Sequence, residues 1–106
     1  MNIKHFIDEK TLLIEITEEI DHHTSQIIKD RIDYEIQRFM PKKTILDLSE
    51  VSFMDSAGIG LIIGRYKTAK AYGGELEIQN VSEKLKRIFS MSGIERIITI
   101  KERLVS

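Results

Sequence analysis

The sequence predicts a single α/β domain built on a mixed sheet, with an antiparallel hairpin at its N-terminus and helices packed mainly on one face. Three observations lead to this class. Apolar residues fall alternately into strand-like and helix-like spacings along the whole chain. From the second strand onward each strand is separated from the next by a helix, which requires parallel strands joined by right-handed crossovers. Finally, Glu75-Leu76-Glu77-Ile78-Gln79 alternates polar with apolar, and Leu12-Leu13-Ile14-Glu15-Ile16-Thr17 does so after one exception. A parallel sheet covered on both faces has continuously apolar strands, so one face here is expected to stay largely wet.

Residues 3–7 and 12–17 flank the polar connector Asp8-Glu9-Lys10-Thr11, whose length suits an antiparallel hairpin. Ile28, Ile32, Ile36, Phe39 and Met40 repeat at three- and four-residue spacing, one buried face of a helix running from Thr24 until Pro41 stops it. Thr44 to Leu48 reads as a short buried strand. Residues 57–72 read as a second helix ended by Gly73-Gly74, and Leu76 with Ile78 marks the next strand. Ser82 can cap a third helix carrying Leu85, Ile88 and Phe89, with Gly93 as its stop, before a last strand over 97–100.

The 106 residues hold 16 Lys plus Arg against 17 Asp plus Glu, a net charge of -1, so the electrostatic footprint of a nucleic-acid or membrane-surface binder is missing. Chain length and 42% hydrophobic residues suit one folded domain over 1–106 rather than a disordered chain. With no cysteine, a disulfide scaffold, a thiolate zinc site and a thiol nucleophile are excluded. Apolar runs such as Leu61-Ile62-Ile63 are far too short for a transmembrane helix. A cytoplasmic protein, monomeric when free, is expected.

Functional groups of a parallel sheet gather where strands end and helices begin. Two such loops carry candidate residues: Glu18-Glu19-Ile20-Asp21-His22-His23-Thr24, and Ser52-Phe53-Met54-Asp55-Ser56-Ala57-Gly58. If their strands are neighbours, Asp21 and Ser56 share one edge of the molecule. Ser56 has two readings that stay open. It can be the N-cap of the second helix, as Asp21 can cap the first. Alternatively, Gly58 and Gly60 leave the backbone around Ser56 uncovered, so that a macromolecule can approach. A phosphate on Ser56 would then lie at the positive end of a helix dipole. On that helix Ile59, Leu61, Ile62 and Ile63 spread over roughly 200° at 100° per residue, wider than a core-facing stripe needs. Ile59 or Ile63 is therefore expected to be exposed beside Ser56.

Enzyme readings are weaker. Gly58-x-Gly60-x-x-x-Gly64 misses a dinucleotide fingerprint by one residue, and Met54 stands where a nucleophilic elbow needs glycine, even if His22 or His23 served as base. Asp47 and Asp55 lack the acidic pair that would hold magnesium beside a phospho-acceptor. No cofactor, metal or catalytic residue is expected.

Asp21-His22-His23-Thr24 together with Ser52-Phe53-Met54-Asp55-Ser56-Ala57-Gly58-Ile59-Gly60 resembles the STAS domain family, and within it the anti-sigma factor antagonists of the sporulation sigma-F switch. Leu46-Asp47-Leu48, Gly64-Arg65-Tyr66-Lys67, Gly73-Gly74-Glu75 and Met91-Ser92-Gly93-Ile94 support the resemblance, which runs from about residue 2 to 100. It implies partner switching. The unmodified antagonist binds an anti-sigma factor serine kinase (SpoIIAB type) and releases the sigma factor. Phosphorylation at the position of Ser56 inactivates it, and a serine phosphatase (SpoIIE type) restores it. Asp21 matches the loop aspartate that contacts the kinase, and Asp55, Gly58, Ile59 and Ile63 fall on the same docking face. A small-ligand sensor of the same family and a serine hydrolase are the alternatives. Two departures stand out: Ala57 replaces a second serine, and the chain ends at Ser106, so that a C-terminal helix is expected to be very short or absent.

Overall fold

The computed structural model describes residues 1–102, so the expectation about a C-terminal helix lies outside the described residues. Strands β1 (Asn2–Phe6) and β2 (Thr11–Glu15) form the N-terminal hairpin. The chain continues through helix α1 (Ser25–Phe39), β3 (Lys43–Asp47), α2 (Ser56–Ala71), β4 (Glu75–Val81), α3 (Glu83–Ser92), a 3-10 turn (Ile94–Arg96) and β5 (Thr99–Glu102). The sheet order is β1-β2-β3-β4-β5, with β1 antiparallel to β2 and every later pair parallel. Sequential order combined with right-handed crossovers sends every connecting helix to the same side, which is the one-faced packing the strand patterns predict.

Register then decides what is buried. Leu12, Thr44 and Leu76 line up across β2, β3 and β4, as do Ile14, Leu46 and Ile78, and all six lie under the helices at 4% exposure or less. Ile28, Ile32 and Ile36 from α1, Leu61, Ile62 and Ala69 from α2, and Leu85 and Phe89 from α3 close the core. The opposite face is half-buried rather than open: Leu13, Glu15, Ile45 and Asp47 are intermediate, and Glu77 is buried. Burial pushes the Glu77 carboxyl up, but hydrogen bonds from Gln79 and Lys101 and the nearby Lys43 ammonium outweigh it and hold the group below its ordinary value.

Two boundaries differ from the sequence reading. Met40 is not on the buried face of α1: it caps the helix in the left-handed region (φ 49°) and is 56% exposed. Pro41 disfavours the α-helical conformation in the residue before it. Ile97 and Ile98 are taken up by the turn, both N–H groups donating to the Ile94 carbonyl, so β5 starts at Thr99. Ser82, in contrast, caps α3 as expected, its Oγ accepting from Leu85 N at 3.2 Å, and Gly93 ends that helix at φ 80°.

Candidate functional site

The two candidate loops leave neighbouring parallel strands, and the chain keeps them together beyond the strand ends. Ile16 N still donates to Asp47 O, and an isolated parallel bridge joins Ile20 to Met54. Both bridge residues are buried, at 4% and 2% exposure, so they roof the core and fix the register of the two loops. The next residue in each loop is an aspartate, Asp21 in one and Asp55 in the other. Glu19 adds a second tie, its Oε1 accepting from Ser52 N at 3.2 Å and Ser52 Oγ at 3.1 Å. The expected adjacency of the Asp21 and Ser56 loops therefore holds.

Each aspartate closes the helix entry behind it. Asp21 Oδ1 accepts from His23 N (2.8 Å), Thr24 N (2.9 Å) and Thr24 Oγ1 (3.2 Å). The backbone N–H groups of Thr24 and His23 hold its carboxyl below the ordinary range. A carboxyl depressed on folding contributes stability at pH above its unfolded value, and that contribution is lost as pH falls through the folded one. Asp55 Oδ1 accepts from Ala57 N (3.0 Å) and Gly58 N (3.2 Å).

Asp55, not Ser56, is thus the N-cap of α2. Its backbone is extended (φ -102°, ψ -168°), whereas Ser56 has already entered the helix. Ser56 is exposed, and among the described residues nothing hydrogen-bonds its hydroxyl. The anion site expected at this helix end is changed as well. Asp55 already takes the leading N–H groups, so a phosphate on Ser56 would stand outward, beside a carboxylate, instead of being held by the helix terminus.

Three other expected site residues require correction. Gly58 is buried and offers no surface; a Cβ there would collide with the Met54 side chain and reach Ile20 Cγ2 at 3.5 Å. It is Gly60 that is exposed, with open space where a Cβ would stand. Ile59 and Ile63 are both half-buried against the core rather than exposed, because α1 and the sheet cover more of α2 than a narrow stripe. The exposed apolar side chain beside Ser56 is Phe53, at 51%. Motif position alone marks it; its exposure follows from Met54 turning inward to meet Ile20.

The surroundings of Ser56 are acidic: Glu19, Asp21, Glu50 and Asp55 are all carried on the segments that lead into α1 and α2, and all four are exposed. His22 and His23 are exposed as well, their rings edge-on to each other at 6.0 Å, and neither hydrogen-bonds Ser56 among the described residues, so the hydrolase geometry finds no support. An open groove of about 330 Å³ between α1 and α2, with Gln26, Lys29, Gly60 and Leu61 among its lining, has a mixed surface rather than the apolar chamber a small-ligand sensor needs. No described helix is long and apolar enough to cross a membrane.

The adjacency also yields a clean substitution. Asp21→Asn keeps an Oδ1 acceptor for His23 N and Thr24 N but removes the charge. It is expected to melt within about 3 °C of the parent, since a preserved cap costs only a few tenths of a kcal/mol, while its affinity for a basic docking partner drops about tenfold, as loss of one well-placed charge contact does. Thermal unfolding and calorimetric titration separate the two roles.

The STAS domain model matches residues 3–106 of the chain. Over 95 residues the chain is 37% identical to the anti-sigma F factor antagonist of Paenibacillus polymyxa, covering 90% of this chain and 81% of that protein. It superimposes on SpoIIAA in its unphosphorylated form with a TM-score of 0.78 at 27% identity, covering 93% and 85% of the two chains. On Bacillus SpoIIAA in the phosphorylated form the TM-score is 0.69 at the same identity, over 93% and 88%.

Proposed function

Since the chain belongs to the STAS domain family, we propose that it is an anti-sigma factor antagonist whose docking face is the rim formed by Asp21, Asp55 and Ser56. Unphosphorylated and monomeric, it binds an anti-sigma factor serine kinase of the SpoIIAB type in the cytoplasm and frees a sporulation sigma factor. The kinase phosphorylates Ser56 and loses its hold, and a SpoIIE-type serine phosphatase reverses the modification. The observation that carries this reading is the Ile20–Met54 bridge. It sets an unpartnered, exposed hydroxyl beside two carboxylates on a rigid roof, so the partner meets a preorganised surface and little ordering entropy opposes docking.

Chemically the site suits an acceptor and not a catalyst. The Ser56 hydroxyl is free to attack a γ-phosphoryl group brought by the kinase, which must supply its own base. Asp21 and Asp55 point charge at the partner, while Gly60 keeps the helix surface low enough for close approach. Ile59 and Ile63, half-buried, offer the apolar flank of the same face. The test is mass spectrometry after incubation with the cognate kinase and ATP. A single added phosphate, mapped by fragmentation to Ser56, is expected. Modification at another residue, or none, refutes the assignment.

A further inference from the structure

We propose that Phe53 and Lys84 form a second anchor of the docking face, one that Ser56 phosphorylation leaves intact. Its occupant is an apolar side chain with a neighbouring carboxylate on the anti-sigma factor kinase. The inference rests on the proposed antagonist function and assigns a part of the partner that the Ser56 rim does not.

Phe53 is half-exposed although Val51, two residues before it, and Met54, the residue after it, are buried at 1% and 2%. A ring left in water forgoes the burial free energy of a large apolar side chain, and here the loop that presents it is held fixed. Val51 N donates to Leu48 O, Ser52 is tied to Glu19, and Met54 is tied to Ile20. The aromatic surface is therefore displayed at little conformational cost, as an anchoring residue should be.

Lys84, exposed in the first turn of α3, sets its Nζ 5.4 Å from the Phe53 ring centroid, within cation–π range. Beside this pair lies a cleft of about 330 Å³ lined by Ser49, Glu50, Val51, Ser52, Ser82 and Lys84. It is continuous with the Ser56 loop, since Ser52 belongs to both. Charge sets the direction of docking. Around Ser56 the rim offers the Asp21 and Asp55 carboxylates and asks for a basic partner; at the Phe53 end the Lys84 ammonium stands over the ring and takes an acidic group, while Glu50 lines the cleft beside it. A partner with both signs in that order docks in a single orientation. The phosphate on Ser56 disturbs only the first half.

The experiment uses the full chain and the anti-sigma factor kinase of the same organism, titrated calorimetrically, with thermal unfolding of each variant alongside. Phe53→Ala is expected to weaken binding about tenfold or more, as truncation of an aromatic hot spot does. Lys84→Glu, on the surface, is expected to weaken it about fivefold with altered salt dependence, and its fold is untouched even if Phe53→Ala melts early. In phosphorylation assays both variants raise KM for the antagonist and leave kcat unchanged, because neither touches the acceptor oxygen. Parent-like binding by Phe53→Ala and Lys84→Glu while Ser56→Asp binds poorly overturns this anchor and leaves the switch standing. Parent-like binding by all three, or no binding by the parent, overturns both.

Discussion

Ser56→Asp is expected to weaken the complex with the anti-sigma factor kinase about a hundredfold, a loss of about 2.7 kcal/mol. General attraction does not produce this, since a rim carrying Glu19, Asp21, Glu50 and Asp55 selects a basic partner, and added negative charge should then help. The cost is local. Position 56 comes just after a helix cap whose Ala57 and Gly58 N–H groups are already engaged by Asp55, so a new carboxylate does not find these donors free. Pressed into an interface without a partner, it forfeits its hydration, and an unpaired buried charge costs several kcal/mol. Ser56→Asn separates size from charge: it is expected to cost about tenfold or less. Ser56→Ala should bind like the parent and accept no phosphate. Unchanged affinity of Ser56→Asp by calorimetry would sink charge as the switch.

Much of this geometry can be read before any coordinates. The triplet Ile28, Ile32 and Ile36 marks the buried face of α1, Ser82 and Gly93 bracket α3, and strand alternation announces a sheet with helices on one side. What stays hidden depends on contacts distant in sequence. Asp55 and Ser56 are both good capping residues; which one caps is decided by where the backbone turns helical, and the Ile20–Met54 bridge sets that point. Gly58 and Gly60 look alike in the motif, yet one faces Met54 and the other faces solvent. The spread of isoleucines on α2 suggests an exposed member, but neighbouring elements reach around the helix and leave Ile59 and Ile63 half-buried. The ring that does stand out, Phe53, carries no periodic signal because it lies in an irregular loop.

Those two glycines give the second large effect, with opposite signs two residues apart. Gly58→Val drives a branched side chain into Met54 and Ile20. It is expected to destabilise the fold by about 2 kcal/mol, the usual range for overpacking, and to lower Tm by about 10 °C. Because the same contact holds the Asp21 and Ser56 loops together, kinase affinity should fall with it. Gly60→Ala meets open space and gains up to about 1 kcal/mol of helix propensity, raising Tm by about 5 °C. Its added methyl stands on the docking face, so this variant is expected to be more stable and to bind less well. A Tm that falls for Gly60→Ala, or that is unmoved for Gly58→Val, contradicts the packing described.

The N-terminal hairpin offers a practical handle. Its tip, Ile7 to Lys10, is exposed and packs against the start of β3, with Lys42 N donating to Lys10 O at 2.8 Å. The two ends of the sheet are joined by strands of five residues, about 17 Å long at 3.3 to 3.4 Å per residue, so a dye or tether placed on Asp8 or Glu9 lies at least that far from the recognition loops. Molecules immobilised through that corner would all present Ser56 to the incoming kinase, which makes oriented single-molecule recording of each phosphorylation and release cycle feasible.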